Sequence, residues 1–287
     1  MFSGCFTALI TPFADGKLDE RRLRAQVERQ LAGGIDGLVP VGTTGESPTL
    51  THDEHKRVIE VVVEAVAGRV PVVAGAGSNN TLEAIDFHKH ARAVGAQAVL
   101  SVNPYYNKPS QEGLYRHFAK LSDEAAIPIV LYNIPGRTGI TMTAETVARL
   151  HKDHNIAAIK EATGSMDLAS QIMGLCDITV LSGDDSLTLP LMALGAAGVI
   201  SVTSNLVPAR MTKLTAAMRY GDTAEARKIH YELAALFKAL FLDGNPAGIK
   251  YAMQTAGEDT GEVRLPLVEP TEPTKVAIRA AFISNKQ

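Results

Sequence analysis

The chain has two cysteines, no apolar run long enough to cross a membrane and almost no excess of either charge. Each shortage excludes something. Cys5 and Cys176 lie far apart, and neither has a metal-ligand partner nearby in sequence, so reduced thiols are expected. A formal charge of −3 and a pI near 6.2 give no reason to expect nucleic acid or anionic membranes as partners. The longest apolar runs, such as Val61-Val62-Val63, fall far short of a membrane span. Met1-Phe2-Ser3-Gly4 leads directly into a strand-like run, with no basic segment, signal core or cleavage site, and a cytoplasmic protein is expected. What remains is an ordinary soluble chain of 287 residues, 46% hydrophobic and 21% charged, long enough for one large α/β barrel or two smaller domains.

Short β-rich runs alternate with helical patterns almost from end to end. The runs fall at 5–10, 37–41, 70–74, 98–102, 129–132, 156–160, 178–182 and 199–202. Between them, 19–32, 51–67, 82–93, 111–124, 143–150, 166–174 and 187–194 mostly repeat apolar residues every three or four positions. Asp19, Thr51, Thr81, Ser110 and Thr143 are N-cap candidates, and Thr51-His52-Asp53-Glu54 has capping-box spacing. Gly33-Gly34 and Gly95 suit helix ends. Eight strand–helix units with mostly apolar strands predict an α/β protein with a closed (β/α)8 TIM barrel. An open doubly wound sheet would need a phosphate-binding glycine loop after its first strand. The nearest candidate, Gly75-Ala76-Gly77-Ser78-Asn79-Asn80, lacks the third glycine and follows the third strand. Beyond about residue 205 the strand signals stop. The pattern predicts an eighth barrel helix at 208–219 and an appended C-terminal helical region with helices at 223–242, 246–256 and 274–284. The expected division is a catalytic barrel over 1–222 and a helical region over 223–287.

Chemistry concentrates where Ile156-Ala157-Ala158-Ile159-Lys160 ends a buried strand on an amine. A buried ammonium loses hydration, which favours the neutral, nucleophilic form. In a barrel the active site lies at the C-terminal strand ends. Thr43 and Thr44 follow strand two, Tyr132 ends strand five, and strand four leads into Asn103-Pro104-Tyr105-Tyr106-Asn107-Lys108-Pro109. This inventory suits imine chemistry: an amine to attack a keto group, hydroxyls to shuttle protons, and amides to hold a carboxylate. The protonated imine is itself the electron sink, so neither metal nor organic cofactor is required. Each residue alone also has a plainer account. Lys160 could reach water, Tyr132 could be a core tyrosine, Thr43-Thr44 could cap the next helix, and Arg137 could be a loop charge.

Together, Gly42-Thr43-Thr44-Gly45-Glu46, Tyr132-Asn133-Ile134-Pro135 and Lys160-Glu161 resemble the pyruvate-dependent lyase and aldolase superfamily. Arg137-Thr138-Gly139, Pro104-Tyr105-Tyr106-Asn107-Lys108-Pro109 and Leu181-Ser182-Gly183-Asp184-Asp185 narrow the resemblance to the dihydrodipicolinate synthase family, over essentially the whole chain. The resemblance implies that Lys160 forms a Schiff base with pyruvate. It implies proton transfer by Tyr132 through a relay of Thr43 and Tyr106, the latter from a neighbouring subunit of a homotetramer built as a dimer of dimers. Thr44 would hold the pyruvate carboxylate, Ile200 would present its backbone carbonyl to the pyruvate region, and Arg137 would bind the carboxylate of L-aspartate 4-semialdehyde. A guanidinium suits that task because it offers two parallel donors and keeps its charge. A related N-acetylneuraminate lyase or keto-deoxy-sugar aldolase would keep the imine and change the aldehyde. Arg137 argues against these, because a sugar acceptor has no small carboxylate to clamp there.

The family also offers a reading of Ser47, His52, His55, Asn79, Glu83 and Tyr105, which match a cleft that binds L-lysine as a feedback effector. From the residues alone, His52-Asp53-Glu54-His55 suggests a metal helix or the solvated first turn of a helix. The usual zinc motif spaces its histidines four apart, with a glutamate after the first, so no metal is expected.

Overall fold

Every predicted apolar run becomes a strand in the computed structural model, which describes residues 2–284. The strands are β1 Gly4–Ala8, β2 Gly37–Val39, β3 Val73–Gly75, β4 Ala98–Val102, β5 Ile129–Asn133, β6 Ile156–Glu161, β7 Thr179–Ser182 and β8 Gly198–Ser201. They form one parallel sheet in the order β2-β1-β8-β7-β6-β5-β4-β3. A parallel bridge from Leu38 to Val72 joins its two edges and closes the barrel. A two-stranded antiparallel pair, Phe13–Ala14 with Lys17–Leu18, lies outside the barrel sheet. These strands are two residues each, too short to leave a period-2 signal.

The barrel helices are α1 Glu20–Ala32, α2 His52–Val66, α3 Thr81–Ala93, α4 Gln111–Ala125, α5 Ala144–Asp153, α6 Met166–Leu175, α7 Thr188–Ala193 and α8 Pro208–Arg219. Their starts follow local chemistry. Thr51 and Glu54 form the reciprocal capping box, and Asp19, Ser110 and Thr143 accept backbone N–H bonds at their helix ends. One start differs. Asn80, not Thr81, caps α3, because its side-chain oxygen reaches the N–H of Leu82 while Thr81 is already helical.

Side-chain alternation sorts the strand residues into two layers. Phe6, Val39, Val73, Leu100, Val130, Ala158, Leu181 and Ile200 pack with Tyr132 into a single cluster inside the barrel. Residues such as Leu38, Val99, Leu131, Ile159 and Val180 pack outward against the helices. The C-terminal helices α9 Thr223–Ala239, α10 Ala247–Thr255 and α11 Glu272–Ser284 bury a further cluster. There Leu233, Leu236, Phe237, Ile249 and Met253 meet Met211 and Leu214 of α8 and Val199 of β8. This packing brings the segment around Asn245 and Lys250 against the C-terminal end of the barrel.

Candidate active site

Lys160 is the fifth residue of β6 and lies in register with Tyr132 of β5 on one side and Leu181 of β7 on the other. The pleat that sends Ile159 outward sends Lys160 to the inner face, where it is only 4% exposed. Its Nζ sits 4.2 Å from the centroid of the Tyr132 ring. Among the described residues, no carboxylate forms an ion pair with it. Asp184, beyond β7, feels the same amine: burial pushes its carboxyl above the usual range, and the Lys160 charge pulls it partly back.

The next residue, Glu161, points the other way. It is buried and accepts hydrogen bonds from the Thr163 N–H, at 2.7 Å, and from the Thr163 hydroxyl. Burial holds its carboxyl above the ordinary value. Asn133, at the end of β5, completes a buried amide network. It accepts from Asn103 Nδ2 and the Met142 N–H, each at 3.0 Å, and donates to the Met142 carbonyl at 3.1 Å. These bonds tie the end of β5 to the residue that follows β4, and Asn133 Nδ2 also reaches a Glu161 oxygen of β6 at 3.5 Å, so the strand ends beside Tyr132 and Lys160 are held together.

The loop after β2 carries Thr43 and Thr44. Thr44 is 2% exposed, and its hydroxyl accepts from Asn245 Nδ2 at 3.0 Å. Arg137 lies on a one-turn helix, Pro135–Thr138, and donates Nη2 to the Asn245 carbonyl at 3.1 Å. Its guanidinium is exposed and has no carboxylate partner among the described residues. Asn245 therefore touches two of the expected binding residues, and the sequence reading missed it. It lies past the last strand, between helical patterns, with no periodicity or motif to single it out.

Tyr132, Thr43 and Arg137 line one cavity of about 440 Å³. Ser47, His52, His55, Glu83 and Tyr105 line the same cavity. His52 Nε2 stands 2.7 Å from a Glu83 oxygen, and the Ser78 hydroxyl also donates to Glu83. His55 is stacked on Phe87 with ring centroids 4.1 Å apart. Its Nε2 lies 2.8 Å from the Gly75 carbonyl and must carry the proton, which leaves Nδ1 an acceptor 3.4 Å from the Ser47 hydroxyl. Burial lowers the His55 pKa to about 4. Asn79 donates to the Tyr105 carbonyl at 3.2 Å, and burial next to Glu83 pushes the Tyr105 phenol up. Tyr106 is elsewhere. It is 91% exposed, adopts a positive φ of 69°, and is not among the residues lining this cavity. Ile200 is fully buried inside the barrel. No group of three potential ligands for a metal ion occurs among the described residues.

The sequence profile of the dihydrodipicolinate synthetase family matches residues 1–284. The chain belongs to that family. It is 51% identical over 288 residues to the 4-hydroxy-tetrahydrodipicolinate synthase of Citrifermentans bemidjiense, covering 100% of this chain and 99% of the relative. The dihydrodipicolinate synthase structure from Aquifex aeolicus superposes with a TM-score of 0.98 at 46% identity, over 99% of this chain and 98% of that one. The enzyme from Cyanidioschyzon merolae, solved with lysine bound, superposes with a TM-score of 0.96 at 40% identity, over 99% and 98% of the two chains. Such agreement over the full length fixes the barrel as that of a dihydrodipicolinate synthase family member.

Proposed function

We propose that this protein condenses pyruvate with L-aspartate 4-semialdehyde to 4-hydroxy-tetrahydrodipicolinate, the entry step of diaminopimelate and lysine biosynthesis. The observation that carries the reading is the placement of Lys160: a buried amine at a barrel strand's C-terminal end, free of ion pairing, against the face of Tyr132. The neutral amine attacks the keto carbon of pyruvate, and Tyr132 passes a proton to the departing hydroxyl as water leaves. The resulting imine loses a methyl proton to give an enamine, whose carbon attacks the aldehyde. Intramolecular attack by the semialdehyde's amino group then closes the ring and releases Lys160. Thr44 holds the pyruvate carboxylate, Ile200 faces pyruvate through its backbone carbonyl, and Arg137 holds the carboxylate of the second substrate. No metal or organic cofactor enters these steps, because the protonated imine takes up the electron pair.

Tyr106 completes the proton relay through Thr43 from a neighbouring subunit of a homotetramer. Its exposure in the single chain is what such a donor requires. In this reading residues 2–222 form the catalytic barrel and 223–284 the accessory helical region, the expected outer bounds at 1 and 287 lying outside the described residues. The cytoplasm is the proposed compartment: Cys5 and Cys176 are free thiols, and no helix among the described residues is long and apolar enough to cross a membrane. L-Lysine is the proposed effector, held by Ser47, His52, His55, Asn79, Glu83 and Tyr105; the lysine-bound relative supports this.

A coupled assay tests the reaction. Product formation from pyruvate and L-aspartate 4-semialdehyde, with no cleavage of N-acetylneuraminate and no loss on chelation, is expected. Preferential cleavage of a sugar acid would replace this reading with the sister aldolase.

A further inference from the structure

The loop that bears Thr43 and Thr44 is under conformational constraint. Val41 and Glu46 both adopt left-handed backbone conformations, with φ of 49° and 56°, which non-glycine residues hold only when their surroundings impose it. Between them Gly45 packs so closely that an added Cβ would lie 2.8 Å from the Val41 nitrogen. The loop's own hydrogen bonds, Glu46 N to Thr43 O and Ser47 N to Gly42 O, are long at 3.2 and 3.4 Å.

The imposing contact comes from 204 residues away. Lys250 of α10 is fully buried, and its Nζ donates to Glu46 Oε1 at 2.6 Å and to the Thr11 carbonyl at 2.9 Å. The Phe13 ring covers it, with the centroid 4.2 Å from Nζ. The other Glu46 oxygen accepts from the Arg264 N–H at 3.1 Å. The Thr11 hydroxyl in turn donates to the Gly45 carbonyl at 2.7 Å. One ammonium thus ties both the side chain of Glu46 and the strand-end segment that grips Gly45.

A buried ion pair adds little stability over an apolar pair of equal volume, so what it contributes here is direction. We infer that Lys250 is a positioning residue for pyruvate binding: clamped between Glu46 and Thr11, it sets the placement of Thr43 and Thr44. The inference rests on the reading of Thr44 as the pyruvate-carboxylate ligand. Lys250 touches no substrate atom and is not itself catalytic.

The test compares wild type with the double variant Glu46→Gln/Lys250→Met, which removes both charges and leaves neither buried alone. Thr11→Val is the milder variant, since it removes the hydroxyl bond to the Gly45 carbonyl and leaves the ion pair intact. It replaces the double variant should that one fail to fold. Melting temperature, steady-state constants for both substrates and borohydride trapping of pyruvate at Lys160 are measured together. The folded variant should raise KM for pyruvate by about tenfold, leave KM for L-aspartate 4-semialdehyde within about twofold, and still trap pyruvate at Lys160 at saturation. A folded variant with an unchanged pyruvate KM, or with both KM values raised alike, overturns the positioning role. Absence of pyruvate trapping at Lys160 in wild type would instead overturn the reading beneath it.

Discussion

Tyr132 has a ring and a hydroxyl with separable duties. The ring is 5% exposed and packs in the barrel interior over Lys160, while the hydroxyl is the group assigned to proton transfer. Tyr132→Phe keeps the ring and its burial. The melting temperature should therefore stay close to wild type while turnover falls by roughly 10²–10⁴, the usual range for losing a general acid–base group. Near-normal turnover would remove Tyr132 from the mechanism. Arg137 is a different case, because its guanidinium is exposed and, among the described residues, donates to the Asn245 carbonyl and to no carboxylate. Arg137→Ala should raise KM for L-aspartate 4-semialdehyde and leave pyruvate imine formation intact. Equal damage with a neutral aldehyde would rule out a carboxylate clamp.

Among the elements, the loops after β2 and β3 and the first turns of α2 and α3 converge on the far side of the same cavity. The neutral His55, with Nδ1 facing the Ser47 hydroxyl, and the Glu83 carboxylate both line that side, a polar setting that suits the ammonium groups of a free amino acid. Free L-lysine is expected to inhibit, and His55→Ala or Glu83→Ala to weaken its binding, as followed by calorimetry and initial rates. No heat and no inhibition at millimolar L-lysine would leave this face purely structural. The same elements show what sequence makes legible. Strands with uniform apolar character and helices with capping signals were readable locally, to within a few residues of 98–102 or 208–219. The one-turn helix Pro135–Thr138 is too short to show a helical period, and its proline and glycine suit a turn equally well. The link from Lys250 to Glu46 left no local trace. It depends on α10 packing back across the barrel end, which no spacing in the chain reports.

At the scale of the whole molecule, the described residues include three buried histidines whose protonation opposes folding. Burial lowers His88 to about 3 and both His55 and His117 to about 4, from an ordinary 6.5. Below pH 6.5 the unfolded chain takes up protons that the folded one refuses, so stability falls with pH until about 4, the folded value of two of them. Each unit of depression is worth about 1.4 kcal/mol. Three such groups weigh heavily against a typical margin of roughly 5–15 kcal/mol. The raised carboxyls of Glu161, Asp184 and Asp185 act in the opposite sense, so the comparison must isolate one histidine. His117→Gln should lessen the loss of melting temperature between pH 6.5 and 4; an unaltered slope would exclude His117 as a contributor.

The catalytic roles of Tyr132, Thr44 and Arg137 all depend on one amine, Lys160. Incubation with pyruvate and borohydride, followed by peptide mapping, tests it most directly. Irreversible inactivation should accompany the mass of a reduced pyruvyl adduct on Lys160 alone. Labelling of Lys108 or Lys250 in its place, or full activity after reduction, would contradict the assignment.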